Sequence, residues 1–268
     1  MAGRPEGGRR AADEAVAPSR RGLLRAAVAS GAVLAVGGGL IGSRAYAWSA
    51  AKTDVGETRL LRLPDGSELI LNTDSAVAWK FDRETRAVRL KRGEVALNVR
   101  PGATKLALIS EGLTADLSEG RFNARLKAGT LNVTVLSGVA QPGSTSDPSS
   151  LRDAAAKDQT LLLTDTAASV RPVSSQQVAA TLAWQDGEIL FQDEPLTSAV
   201  EEYNRYLSAK IVIMDTSLGG IRVGGRFTTT NPASFLEALR EILDIDVQTT
   251  NENYLLTRKN NSQIWRQL

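Results

Sequence analysis

From Thr53 to about Val173, short apolar runs alternate with turn signals, and no run is long enough for a periodic helix before the polar segment after Pro142. A chain punctuated in this way buries its apolar side chains by stacking short strands. Pro64-Asp65-Gly66 is the sharpest turn. Proline presets φ at the first central position, the aspartate can accept from the backbone two residues on, and glycine takes the left-handed conformation. The turn joins strand-like Glu57–Leu63 to Glu68–Asn72, and a second turn-and-strand unit runs from Lys91 through Arg92-Gly93-Glu94 to Val99. Further strands are predicted at Ala76–Phe81, Ala87–Leu90, Leu106–Ile109, Leu113–Leu117 and Leu131–Leu136, punctuated by Gly93, Gly102, Gly112, Gly120, Gly129 and Gly138. The expected fold class is mainly β, with a stacked antiparallel domain over residues 53–173 of sandwich, jelly-roll or solenoid-like form. Trp79, Phe81 and Phe122 are expected in its core.

A polar loop over 141–159, rich in Ser, Pro, Asp and Gly, precedes strand-like Thr160–Thr164 and Ala168–Val173, so it reads as an insertion in the β domain. A linker is expected at 174–182. From Trp184 the rhythm changes. Ile189-Leu190-Phe191 ends a strand and Asp193 is expected to cap a helix with Pro195 in its first turn. Leu196, Val200, Tyr203 and Leu207 then fall on one helical stripe. Strands at Lys210–Met214 and Ile221–Phe227 follow. Asn231-Pro232 opens a second helix with Phe235, Leu236, Leu239, Ile242 and Leu243 on its apolar face, and Ile245–Thr249 and Asn253–Thr257 close as strands. The order βαββαββ over 183–258 describes a small α+β domain expected to fold alone, with 259–268 as a tail. Trp184 and Phe191 flank a strand and read as core.

The first 50 residues are different in kind. They hold seven arginines against three acids, which leaves the remainder at −2 although the whole chain is +2. Ser19-Arg20-Arg21-Gly22-Leu23-Leu24-Arg25 resembles the twin-arginine export signature, carried by Ser19, Arg20, Arg21, Leu23 and Leu24. The uncharged Ala/Gly-rich run 26–43 that follows is close to the roughly 18 residues at which a segment becomes a candidate membrane span. Arginines before it put the amino terminus in the cytoplasm. Ala45-Tyr46-Ala47 has the small-x-small form of a cleavage site, with Ala45 and Ala47 as the small positions. An inner-membrane anchor helix and a cleaved signal both stay open, the anchor preferred, and either puts the rest of the chain in the periplasm.

Composition narrows the chemistry. With no Cys and no His, the chain has no disulfide, thiol nucleophile, imidazole base or typical zinc site. Neither a Ser-x-x-Lys pair nor a paired-carboxylate signature stands in a setting for catalysis. No catalytic residue, metal or cofactor is therefore expected, and the chain does not read as an enzyme. A nucleic-acid binder would carry its basic patch on the folded part, and here the basic excess sits in the leader.

Gly56-Glu57, Leu63-Pro64-Asp65-Gly66-Ser67, Leu71-Asn72, Arg92-Gly93-Glu94-Val95-Ala96 and Gly120-Arg121-Phe122-Asn123-Ala124, in that order, resemble the FecR family. Trp184-Gln185-Asp186-Gly187, Phe191, Pro195-Leu196, Val223-Gly224-Gly225-Arg226-Phe227 and the Phe235–Leu239 helix are similar to that family's carboxy-terminal domain. That domain is related to the short domains of secretins and TonB-dependent receptors. The resemblance implies an envelope regulator of iron and siderophore uptake: the signalling domain of an outer-membrane TonB-dependent receptor is its partner, and an extracytoplasmic-function sigma factor its target. The family's cytoplasmic helical region has no counterpart in Met1–Arg21, so direct sigma-factor control is not expected from that segment. A partner strand is expected to add at an unpaired sheet edge, with Lys210, Ile211 and Ile213 or Tyr254 and Leu255 as the candidates. An envelope structural or glycan-binding module reusing the β domain is the alternative.

Overall fold

The computed structural model describes residues 48–143 and 154–259. The export and cleavage residues Ser19, Arg20, Arg21, Leu23, Leu24, Ala45 and Ala47, the 26–43 segment and most of the 259–268 tail lie outside the described residues. The first body is all β. Its strands are β1 (Ser49–Lys52), β2 (Arg59–Arg62), β3 (Glu68–Leu71), β4 (Ala76–Phe81), β5 (Arg86–Val99) and β6 (Leu106–Ser110), followed by β7 (Leu113–Leu117), β8 (Gly120–Lys127), β9 (Thr130–Ser137), β10 (Ala140–Pro142), β11 (Gln159–Leu163) and β12 (Ala168–Pro172).

The Pro64-Asp65-Gly66 turn connects β2 to β3 as the turn chemistry requires. Gly66 takes φ 82° and Asp65 Oδ1 accepts from Ser67 N at 2.9 Å. Asp65 also takes Arg86 Nε at 2.9 Å, which ties the turn to the start of β5.

A turn at Gly93 is not what forms. Arg86–Val99 is one strand of 14 residues that bends at Gly93, where φ is 87°. Its first half pairs with β4 and β6, and its second half with β3 and β8. One strand thus belongs to two sheets. The first sheet adds β1, β7 and β10, and the second adds β2, β9, β11 and β12. All pairs are antiparallel except β5 with β6. The two sheets close on a common core that includes Val77, Leu90 and Leu108 from one and Leu71, Val95, Phe122 and Leu161 from the other. This is the sandwich form of the expected stack. Phe122 is fully buried, while Trp79 and Phe81 pack on the rim of the core.

The expected linker at 174–182 is a helix instead, α1 (Ser175–Leu182). Ser174 accepts from Gln177 N while the Gln177 side chain accepts from Ser174 N, a reciprocal cap that satisfies two backbone donors and starts the helix. A short 3-10 turn, Ala183–Asp186, leads on to β13 (Glu188–Pro195), α2 (Leu196–Asn204), β14 (Lys210–Ile213), β15 (Arg222–Thr228), α3 (Ala233–Ile242), β16 (Ile245–Thr249) and β17 (Asn253–Arg258). Strands β13 and β15 pair antiparallel, and a second sheet runs β14-β17-β16 with β14 and β17 parallel. Phe191, Tyr203, Phe227 and Phe235 gather in the second core, with the Tyr203 and Phe235 rings stacked 5.0 Å apart.

Three details differ from the sequence reading. Asp193 does not cap α2; it sits at φ 60° in a bulge of β13, and Pro195 occupies the cap position. Leu207 is buried but lies beyond the end of α2. Ile242 is 76% exposed, because the apolar face of α3 is fully used by Phe235, Leu236 and Leu239 before the last turn is reached.

Candidate functional site at the junction of the sandwich and the C-terminal body

Strand alternation sets up the junction. Val95, Leu97 and Val99 of β5 turn into the sandwich core, so Glu94, Ala96 and Asn98 face the other side of the sheet. On β8 the same alternation buries Phe122 and Ala124 inward and turns Asn123 and Arg125 outward. The C-terminal body covers this outer face as part of one compact unit. Ala96 belongs to its apolar cluster together with Trp184 and Tyr206, and Ile70 packs against it.

Glu94 is the centre of the contact and is 3% exposed. Its Oε2 accepts from Asn72 Nδ2 at 2.9 Å and from Arg205 Nη2 at 2.7 Å, while Oε1 accepts from Asn123 Nδ2 at 2.9 Å. Asn123 Oδ1 accepts in turn from Trp184 Nε1 at 3.2 Å, and Asn72 Nδ2 also donates to the Tyr206 hydroxyl at 2.8 Å. Arg205 reaches Glu202 with its second arm, and Arg125 pairs with the other Glu202 oxygen at 2.8 Å. Thr73 Oγ1 donates to the Arg205 carbonyl at 3.0 Å. A buried carboxylate is tolerated only when its lone pairs are filled this completely.

The charges agree with that geometry. Burial pushes the Glu202 carboxyl up, but Arg205 and Arg125 outweigh it and hold the group below the usual carboxylate range. Burial works against the Arg205 charge, and Glu94 and Glu202 more than restore it. Burial pushes the Tyr206 phenol up, so it stays protonated in the network.

The network ties the C-terminal body to the outer sheet: amide and guanidinium donors fill both oxygens of Glu94, and Arg205 and Arg125 take one oxygen each of Glu202. Among the described residues no cluster of carboxylates is arranged to hold a metal ion. Beside the network opens a cleft of about 420 Å³ between the outer sheet face and β13, lined by Asn123, Arg125, Asn132, Thr134, Thr160 and Glu194 among others.

The two sequence-predicted edges fare differently from expectation. Tyr254 and Leu255 lie on β17, which is the central strand of its sheet, because β14 pairs with it in parallel on one side and β16 antiparallel on the other. That placement removes them as an edge. Lys210, Ile211 and Ile213 do lie on an edge strand, β14. Asn204 closes that edge at Ile211: the Ile211 N–H donates to Asn204 Oδ1 at 2.7 Å and its carbonyl accepts from Asn204 Nδ2 at 2.8 Å. Asn72, Glu94, Asn123 and Trp184 were all inside the motif segments, yet nothing in strand periodicity marks them as mutual partners. A glutamate and two asparagines at buried register positions were the available signal.

The family model described as FecR protein matches residues 49–141. No curated protein sequence matches the chain. Among solved structures, two crystal structures of a candidate anti-sigma factor from Parabacteroides distasonis ATCC 8503 share the fold. One, at 1.65 Å resolution, is 18% identical with a TM-score of 0.63 over 78% of this chain and 99% of that one. The other, at 2.50 Å, is 17% identical with a TM-score of 0.63 over 79% of this chain and 99% of that one. Matches of this length extend beyond the sandwich into the C-terminal body. Residues 49–141 are a FecR domain, joined here to an α+β body that closes over its outer sheet.

Proposed function

We propose that this protein is a non-enzymatic regulator of anti-sigma type on the periplasmic side of the inner membrane. In this reading it relays the state of an outer-membrane TonB-dependent receptor toward an extracytoplasmic-function sigma factor. The observation that carries the reading is the FecR domain within a two-body fold shared with a candidate anti-sigma factor over most of the chain. The charged and amide contacts that join the two bodies support a protein that transmits contact between them. Among the described residues no helix is long and apolar enough to cross a membrane, so in this reading residues 26–43 supply the anchor. The test is titration of the full chain against the signalling domains of the TonB-dependent receptors encoded in its own genome. Saturable binding to one supports the relay, and silence toward all of them removes it.

The cleft favours a second reading, an envelope module that binds a polar ligand such as a glycan, because amides, hydroxyls and four glutamates line it together with Arg125 and Lys127. Retention of the full chain on immobilised cell-wall polysaccharide, lost on Asn132→Ala with Thr160→Ala, would favour that reading over the relay.

A further inference from the structure

We infer that the outer edge of β15 is a docking strand for an extended, acidic segment of another protein. In the C-terminal body β17 is central, the β14 edge is closed at Ile211 by Asn204, and on β16 the Val247 carbonyl accepts from Arg240 Nη2 at 2.6 Å. Among the described residues strand β15 pairs only with β13. The bonds from Thr229 N to the Gly187 carbonyl and from Leu196 N to the Ile221 carbonyl fix the phase of that ladder. By antiparallel alternation, Arg222, Gly224 and Arg226 then turn their N–H and C=O groups away from β13. At the far end of the strand the Thr228 carbonyl is taken by the Tyr203 hydroxyl at 2.6 Å, which limits the free edge to 222–227.

Two features fit an incoming backbone. Gly224 and Gly225 leave the strand without side-chain cover, although Gly225 is also required by its own fold, at φ 136° with the Phe227 ring 3.0 Å from where a Cβ would sit. An apolar groove of about 100 Å³ runs beside the edge, lined by Val223, Phe227, Phe235, Leu239 and Ile242, and Ile242 is the most exposed large apolar residue among the described residues. Groove and edge together have the form used in strand addition, main-chain bonds for affinity and pockets for alternate side chains.

Charge decides the occupant. Arg222 and Arg226 are exposed at the two ends of the free stretch; Arg226 pairs with Glu188 on β13 and Arg222 donates to the Asp193 carbonyl at 2.8 Å, solvent-exposed contacts that an incoming carboxylate can exchange at little cost. A second copy pairing antiparallel about Gly224 would put Arg222 opposite Arg226, and parallel pairing in register would put each arginine beside itself; like charges in those positions destabilise a sheet. A segment with acidic residues opposite Arg222 and Arg226, and apolar residues opposite Val223 and Gly225, meets both the charge and the groove. The inference rests on the regulatory reading for the partner's role, while the edge is tested without receptor or sigma factor.

The test is fluorescence anisotropy of the full chain with the labelled peptide Thr-Glu-Val-Thr-Val-Glu-Thr and its counterpart bearing Lys in place of Glu. The expected result is saturable binding of the acidic peptide, at least tenfold weaker binding of the basic one, and inversion of that preference in Arg222→Glu with Arg226→Glu. Ile242→Asp, on a side chain that the fold does not need, is expected to weaken the acidic peptide at least tenfold. Binding of neither peptide, equal binding of both, or indifference to Ile242→Asp would overturn the proposal. Receptor binding that survives such a failure leaves the regulatory reading standing, and peptide binding without any receptor binding leaves the edge standing.

Discussion

Glu94 and Arg205 are 111 positions apart in the chain and 2.7 Å apart in the fold, and the ion pair they form fastens the C-terminal body to the outer sheet of the FecR domain. Breaking a buried pair by removing one partner leaves the other charge uncompensated, at a cost of about 3–5 kcal/mol. Glu94→Ala and Arg205→Ala are each expected to destabilise by about that amount. The double variant is expected to cost clearly less than the two together, since neither charge is then stranded. Urea denaturation of the four proteins checks this, and additive losses would show that the two residues do not act as a pair.

The junction is expected to weaken in acid. Glu202 is depressed below its ordinary value of 4.5, so it binds its proton more readily in the unfolded chain than in the folded one. Its contribution is fully present above that ordinary value and is lost as pH falls through the depressed folded one. Thermal melts from pH 7 to pH 3 should show the midpoint falling below about pH 4.5. Glu202→Gln should have a lower midpoint at pH 7 and a shallower fall.

Gly93→Ala tests the bent strand. A Cβ at that position would lie 2.2 Å from Ser75 Oγ and 2.7 Å from Ser75 Cα, at a φ of 87° that alanine rarely adopts. Left-handed strain alone costs about 1–2 kcal/mol, and the clash adds to it. A loss of more than about 2 kcal/mol in chemical denaturation is expected. A neutral substitution would mean that the strand does not bend there.

Export is testable independently of the fold. Arg20→Lys together with Arg21→Lys is expected to leave the protein in the cytoplasm, read by fractionation and immunoblot. Normal periplasmic accumulation would point to the general secretion route.

Much of the architecture could be read from local chemistry. Pro64-Asp65-Gly66 folds as its residue types dictate, and the βαββαββ order of 183–258 follows from its apolar spacing. The misses arise where tertiary contacts decide. Gly93 reads as a turn, but paired strands on both sides keep Arg86–Val99 continuous and use the glycine for a bend. Strand order cannot be read from periodicity, so Tyr254 and Leu255 looked like an edge although a parallel neighbour covers them. The helix α1 was legible in hindsight, since Ser174-x-x-Gln177 is a capping-box pattern. Arg205 and Tyr206 carried no signal at all, because their roles exist only once the two bodies meet.

Calorimetric unfolding of the full chain reads the meeting of the two bodies. If Glu94, Asn123 and Trp184 join the bodies, an excised 182–268 fragment loses partners for Arg205, Trp184 and Tyr206 and melts well below the intact protein. The intact chain is expected to unfold in one transition whose calorimetric and van't Hoff enthalpies agree, and Glu94→Ala to split off an earlier transition for the C-terminal body. Two separate transitions in the unmodified protein, with the C-terminal midpoint unmoved by Glu94→Ala, would mean that the two bodies fold independently and that Glu94 does not join them.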